Sequence, residues 1–250
     1  MLDIPPGCVL MVSADLGQLG FIQDFPNKQD TLSKYLEAIR EAAGPQATIV
    51  MPTFSFSYAS KSEPFILEST PSETGSLSEF FRQASGVLRS LHPIFSYTAQ
   101  GPLQEVMCGD VSRNSFGINT PLARALMHDA VGLSLGIHPI KSTSIHHHAE
   151  HLIGVPYRYH KCFNTPVYKN DTLVPGEYYA YLRFKNADIE KDSTRYLKRL
   201  EANNLIRTIK IDHIKLYTYC YRQVFKQAIE LLMDDIYGLL KRPPSLPLID

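Results

Sequence analysis

The run CVLMVSADL, residues 8–16, restricts the fold more than any other stretch. It is apolar without alternation, and Pro5-Pro6-Gly7 precedes it while Gly17 follows, as expected of a strand buried on both faces. The segment KQDTLSKYLEAIREAAG, residues 28–44, then places Leu32, Tyr35, Leu36 and Ile39 at helical spacing, with Asp30 or Thr31 as N-cap and Gly44 at the stop. A second β-rich run, ATIVMPTFSF, occupies residues 47–56. Strand, helix and strand in that order predict a parallel pair joined by a crossover, the unit of an α/β fold.

The pattern continues through GSLSEFFRQA (75–84) and PLARALMH (121–128), both read as helices, and AVGLSLGI (130–137), a buried strand. Beyond Pro156 the chain changes character. TPVYKNDTLVPGEYYAYLRF, within a tyrosine-rich segment at about 157–185, predicts two or three antiparallel strands with an Asn-Asp turn and a Pro-Gly turn. A helix is expected around residues 192–204, and a long C-terminal helix over about 214–241, stopped by Pro243. The whole chain, residues 1–250, is read as one domain, a size that buries a full core.

Lys plus Arg and Asp plus Glu number 25 each, so no global field attracts nucleic acid or an anionic membrane. Four cysteines (Cys8, Cys108, Cys162, Cys220) form no C-x-x-C pair and suggest neither a disulfide framework nor a zinc ribbon. The first twenty residues lack a basic start, and their apolar run is too short for a signal peptide or a membrane span. A cytoplasmic protein is expected, with no membrane partner; oligomeric state is not legible.

STSIHHHAEH, residues 142–151, carries four histidines and a glutamate, immediately after the strand that ends near Ile137. Ligands in open α/β sheets sit where strands end. At about 100° per residue, Ile145, Ala149, Leu152 and Ile153 make a core-facing stripe, so a helix is expected. Glu150 then lies within reach of His146 (i−4) and His147 (i−3), with His147 and His151 on the more polar side. Three readings fit: a solvated polar face; a zinc site, since His147-x-x-Glu150-His151 has the H-x-x-E-H order of inverted zinc peptidases; and a base with its orienting acid, which needs no metal.

Four strings taken together narrow the choice: IVMPTFSF (49–56), GSLSEFFRQASGVLRSLHP (75–93), FGINTPLARAL (116–126) and SLGIHPIKSTSIHHHAEHLIGVPYRY (134–159). Their order and spacing resemble the aminoglycoside 3-N-acetyltransferase family, with its M-P-T strand end, its G-x-L-x-E-x-x-R segment leading to G-x-x-R-S-x-H-P, its F-G-x-x-[ST]-P step and its T-x-x-H-x-x-E after a glycine-ended strand. The match runs from Val9 to Tyr159. The resemblance implies a three-layer α/β/α single domain with a mixed sheet, and acetyl-CoA as co-substrate without a metal. It places a histidine at the catalytic centre with the glutamate as its partner. Aligned backwards from Glu150 that histidine is His147; aligned forwards from Thr143 it is His146. His147 is preferred and His146 kept.

The resemblance also places Arg89, Ser90 and His92 beside the thioester arm or the active centre, with Arg89 toward a CoA phosphate; the structural alternatives are an ion-pair partner for Arg89 and a turn cap before Pro93 for His92. Thr53, Ser90 and Thr143 become candidate donors to the tetrahedral oxyanion. Ser13 ends the first strand, where the family usually has His-Ser or Ser-Ser and this chain has Val12-Ser13. The expected acceptor is an amine of an amino sugar. Zero net charge and sparse acidic clustering favour a sugar intermediate of glycan or lipopolysaccharide synthesis over a polycationic aminoglycoside, which calls for an acidic cleft. The competing expectations are a zinc-dependent hydrolase and a non-catalytic binding protein on the same fold.

Overall fold

The computed structural model describes residues 4–20, 27–185 and 188–245. Its centre is a seven-stranded mixed sheet. From one edge the strands run Arg207–Ile211, Ile214–Cys220, Val131–Leu135, Val9–Ala14, Thr48–Pro52, Tyr97–Gln100 and Leu88–Arg89. Val9–Ala14 pairs parallel with Thr48–Pro52 on one side and Val131–Leu135 on the other, while the remaining pairs are antiparallel.

The unalternating first strand is explained by what covers it. Val9 and Met11 point into a core with Ile145, Ala149, Tyr219 and Leu231. Leu10 and Val12 point the other way, among Leu32, Leu36 and Phe81. Each face of the sheet is thus closed by helices, the three-layer arrangement expected from the sequence. The crossover helix Lys28–Ala43 begins three or four residues earlier than the capping pattern suggested: Asn27 accepts from the amide of Asp30 at 2.8 Å, so Asn27 is the cap and neither Asp30 nor Thr31. Its far end is as expected, with Gly44 at φ 77°.

Two expectations need correction. The C-terminal helix does not start near 214: Ile214–Cys220 is a strand, antiparallel to Val131–Leu135, and the helix is Tyr221–Asp234. Tyr217 and Tyr219 alternate with Leu216 and Thr218 at period two, a strand signal that merges into the helical spacing beginning at Tyr221. Tyr219 also explains Gly132 on the paired strand, where an added Cβ would lie 2.2 Å from the ring. Pro243 stands beyond the helix end rather than at it.

In the tyrosine-rich segment, Val167–Lys169 and Thr172–Leu173 do form a hairpin, turned by Asn170 and Asp171 at φ 49° and 56°. Pro175-Gly176 is not a second hairpin turn, because Tyr178–Arg183 pairs antiparallel with Arg158–Phe163 instead. Among the described residues no helix is long and apolar enough to cross a membrane.

Candidate active site

The histidine stretch forms a nine-residue helix, Ile145–Ile153, just past the end of the strand Val131–Leu135. Thr143 Oγ1 accepts from the Ile145 amide at 3.3 Å, and Gly154 in the left-handed region at φ 74° ends the helix. Ile145, Ala149 and Ile153 face the core as expected. Leu152 does not; it is 51% exposed. The inward face is completed by polar groups, with His146, His148 and Glu150 all buried.

Such burial is tolerable only if the polar atoms find partners. Glu150 Oε2 lies 2.6 Å from His147 Nδ1 and 2.8 Å from Arg158 Nη2, and Glu150 Oε1 accepts from the Tyr157 hydroxyl at 2.9 Å. His146 takes no part in this. Its Nε2 is 2.9 Å from Lys191 Nζ, and its ring lies against Tyr196. His148 Nδ1 faces the Gly117 amide at 3.4 Å. Of the two histidines in register with the family motif, the carboxylate contacts His147.

The short contact fixes the tautomer. An ionised carboxylate at 2.6 Å requires a proton on Nδ1, so His147 donates to Glu150 and its Nε2 carries the lone pair. Nε2 makes no hydrogen bond to the described residues, and the side chain remains 25% exposed. Burial holds the His147 imidazole down to about 4, against the pull of the Glu150 hydrogen bond and charge, so the ring is neutral at pH 7. Burial pushes the Glu150 carboxyl up, but the His147 hydrogen bond and the charges of His147 and Arg158 outweigh it and bring it to about 2.

Two clefts meet at this ring. The narrower, about 350 Å³, opens at the ends of the parallel strands (Ser13, Ala14, Pro52) and is hydroxyl-rich, with Thr74, Ser142 and Thr143. The wider, about 590 Å³, has aromatic walls that include Phe56, Phe95, Phe116 and Tyr181. Phe54, Ser144, His147 and Lys191 line both.

The other residues singled out in the sequence are placed differently. Arg89 is 8% exposed, and all five of its N–H donors are engaged: Nε with Ser96 Oγ, Nη1 with the carbonyls of Leu67 and Thr70, Nη2 with the Thr53 carbonyl and Ser55 Oγ. The guanidinium also lies over the Phe65 ring at 4.8 Å. Nothing is left for a CoA phosphate, so that expectation is corrected: Arg89 ties the Phe65–Thr70 stretch to the strand end carrying Phe54. Ser90 and Thr53 are fully buried, their hydroxyls held by the Tyr97 amide and by Ser96 and Thr98, which corrects both as oxyanion donors. His92 is 2% exposed and closes a turn, the structural alternative, with Nδ1 accepting from the amides of Ile94 and Phe95 at 3.2 and 3.0 Å; it lines neither cleft, and its ring packs behind Phe95 of the wider one rather than at the active centre. Ser13 and Thr143 do line the narrow cleft.

The H-x-x-E-H spacing lacks the matching geometry. His151 packs against His160 and Tyr181, with ring centroids at 5.1 and 5.2 Å, and the Arg158 guanidinium occupies the place beside Glu150 Oε2 and His147 Nδ1 that a metal ion would need. Among the described residues no group of three or more His, Cys, Asp or Glu is disposed to hold a metal.

Sequence reasoning missed Tyr157, Arg158 and Lys191 as site residues. The first two were signalled indirectly, since a buried glutamate requires a counter-cation and further donors. Lys191 had no signal: it comes from a distant loop.

The buried imidazoles have a consequence for stability. Burial lowers His92 and His148 to about 4, whereas an unfolded histidine titrates near 6.5. Between those values the unfolded chain binds more protons, so stability is present above about pH 6.5 and is lost as pH falls toward 4. Two groups together cost about 2 kcal/mol from pH 6.5 to 5.5, or about 4–8 °C in Tm. Calorimetric scans across that window should show the fall; a flat Tm would mean that these rings are protonated in the fold.

Comparison with known proteins supplies the family. Residues 11–233 match the family model for aminoglycoside 3-N-acetyltransferase, which is most of the chain. The chain belongs to the aminoglycoside 3-N-acetyltransferase family. A curated member, aminoglycoside N(3)-acetyltransferase IV from Salmonella sp, is 32% identical over 159 residues, which cover 62% of this chain and 57% of that one. The alignment therefore spans little more than half the length of that relative. Among solved structures, the apoenzyme of aminoglycoside acetyltransferase AAC(3)-IVa superposes with a TM-score of 0.75 at 25% identity, covering 97% of this chain and 88% of that one. AAC-IIIb bound to CoASH shares the fold of this family member, with a TM-score of 0.76 at 20% identity over 93% and 92% of the two chains.

Proposed function

We propose that this family member is an N-acetyltransferase that moves the acetyl group of acetyl-CoA directly to an amine of an amino sugar. The observation that carries the reading is the bare His147 Nε2, at the junction of the two clefts, on a ring held by Glu150. The narrow hydroxyl-lined cleft suits the slender amide chain of pantetheine, and the aromatic cleft suits a sugar ring. Relatives are consistent with both occupants: AAC-IIIb was solved with CoASH and a histidine variant of AAC(3)-IVa with gentamicin.

An ammonium first loses a proton to solvent, a step favoured by nearby Arg158 and Lys191, since neighbouring positive charge lowers an amine's pKa. The free amine attacks the thioester carbonyl, forming the C–N bond, while His147 Nε2 takes a proton from that nitrogen. The imidazolium is stabilised by Glu150. Collapse of the tetrahedral intermediate breaks the C–S bond, and the proton returns from His147 to the departing thiolate, giving an amide and CoA thiol. Lys191 Nζ, on the narrow cleft, is the proposed oxyanion partner; the Thr143 hydroxyl, which also lines that cleft, donates instead to the Tyr221 hydroxyl at 3.4 Å.

The test is release of CoA thiol from acetyl-CoA in the presence of amino sugars and aminoglycosides, with the amide identified by mass. Turnover with at least one such amine is expected. Thiol release with none of them would leave a binding protein on the transferase fold as the better reading.

A further inference from the structure

The wide cleft is charged the wrong way for a polycation. Arg158, Arg183, Lys185 and Lys191 line it, and among the described residues no aspartate or glutamate does. Arg183, Lys185 and Lys191 form no ion pair among the described residues, and Arg183 and Lys185 are exposed. Arg158 and Arg183 stand directly opposite each other across the antiparallel pair Arg158–Phe163 and Tyr178–Arg183. Like charges so placed repel, and while Glu150 Oε2 holds Arg158 at 2.8 Å, Arg183 faces the cleft with no counter-ion among the described residues. Such an arrangement is relieved by an anion arriving from the cleft.

We infer that the acceptor carries a phosphate group beside its amine, and that this basic cleft is where the phosphate is read. The inference rests on the transferase reading above. It deepens that reading by naming a phosphorylated amino sugar as the substrate class, rather than a polyamine antibiotic that would have to shed its hydration against Arg183, Lys185 and Lys191. The phosphates of CoA itself do not account for Arg158 and Lys191. Arg158 Nη2 is 2.8 Å from His147 Nδ1, and Lys191 Nζ is 2.9 Å from the adjacent His146. With the thioester carbonyl at His147, the pyrophosphate lies the whole pantetheine arm away. A phosphorylated sugar places its anion within one ring of its amine. The aromatic walls, among them Phe56 and Tyr181, supply faces for that ring.

The experiment compares glucosamine, glucosamine 6-phosphate, a nucleoside-diphosphate amino sugar and gentamicin as acceptors, using the full chain and its Arg183→Gln, Lys185→Gln and double variants. The phosphorylated sugars are expected to exceed glucosamine by about tenfold or more in kcat/KM, through KM, and the double variant to raise their KM by about tenfold. Whichever phosphorylated arm is better identifies a monoester or a diphosphate as the anion. Gentamicin as the best acceptor would overturn the inference, and so would a double variant that raised the KM of acetyl-CoA in place of the acceptor's. Calorimetric binding of glucosamine 6-phosphate separates the two levels of the argument. Binding lost in the double variant would uphold the phosphate site even if no amine were acetylated, whereas phosphate-independent binding would remove it even if transfer occurred.

Discussion

His147→Ala is expected to lower kcat by about 10³-fold, the usual loss for a general base, with the KM of acetyl-CoA little changed. His146→Ala is the control that gives this result meaning. His146 is 3% exposed, lines the narrow cleft, packs on the His147 ring at 4.0 Å and holds Lys191, but it makes no contact with the Glu150 carboxylate, so its removal opens a small cavity and frees one lysine while leaving the hydrogen bond between His147 and Glu150 in place. Its activity should stay within about tenfold of the parent, with a stability loss of about 2 kcal/mol. Added imidazole should restore part of the His147→Ala activity, because the emptied space adjoins both clefts. Steady-state kinetics on the two variants decides between them; equal losses would mean that the ring next to Lys191 shares the chemistry.

Arg89→Ala should be among the most destabilising single changes in the chain, at about 3–5 kcal/mol, or about 10 °C in Tm. The reason is the five-donor clamp. Removing the guanidinium strips partners from the buried carbonyls of Leu67 and Thr70 and leaves a void over Phe65. Burial lowers the guanidinium only to about 9, so the cation persists at neutral pH and Arg89→Lys, with three donors in place of five, recovers only part of the loss. Urea denaturation measures both. If Arg89 instead met a CoA phosphate, the variant would keep its stability and lose affinity for acetyl-CoA.

The central α/β unit was legible because its signals are local: an unalternating strand, a helix with a glycine stop, a second strand. The edge strands were not. Leu88–Arg89 is two residues long, and Arg207–Ile211 is mostly exposed, so neither carries an apolar pattern of its own. The C-terminal strand was read as helix because Tyr217 and Tyr219 run straight into a helical repeat. At the site, helical spacing put Glu150 in reach of two histidines but not beside one. That choice is made by Tyr157 and Arg158, which enter from the turn and the strand that follow the helix, and by Lys191, which draws His146 the other way. The R-S-x-H-P string left chemistry and architecture both open, and its hydrogen bonds are those of the second: a spacing pattern cannot tell an arginine aimed at a ligand from one whose donors all point inward.

The ring nitrogens of His147 provide the most direct test. ¹⁵N NMR of the histidine side chains, assigned through His147→Ala, should show His147 neutral near pH 7, with the proton on Nδ1 and a bare Nε2, and should keep showing it well below pH 6. A charged ring at neutral pH, or a proton on Nε2, would contradict the account, because neither form can take a proton from an attacking amine.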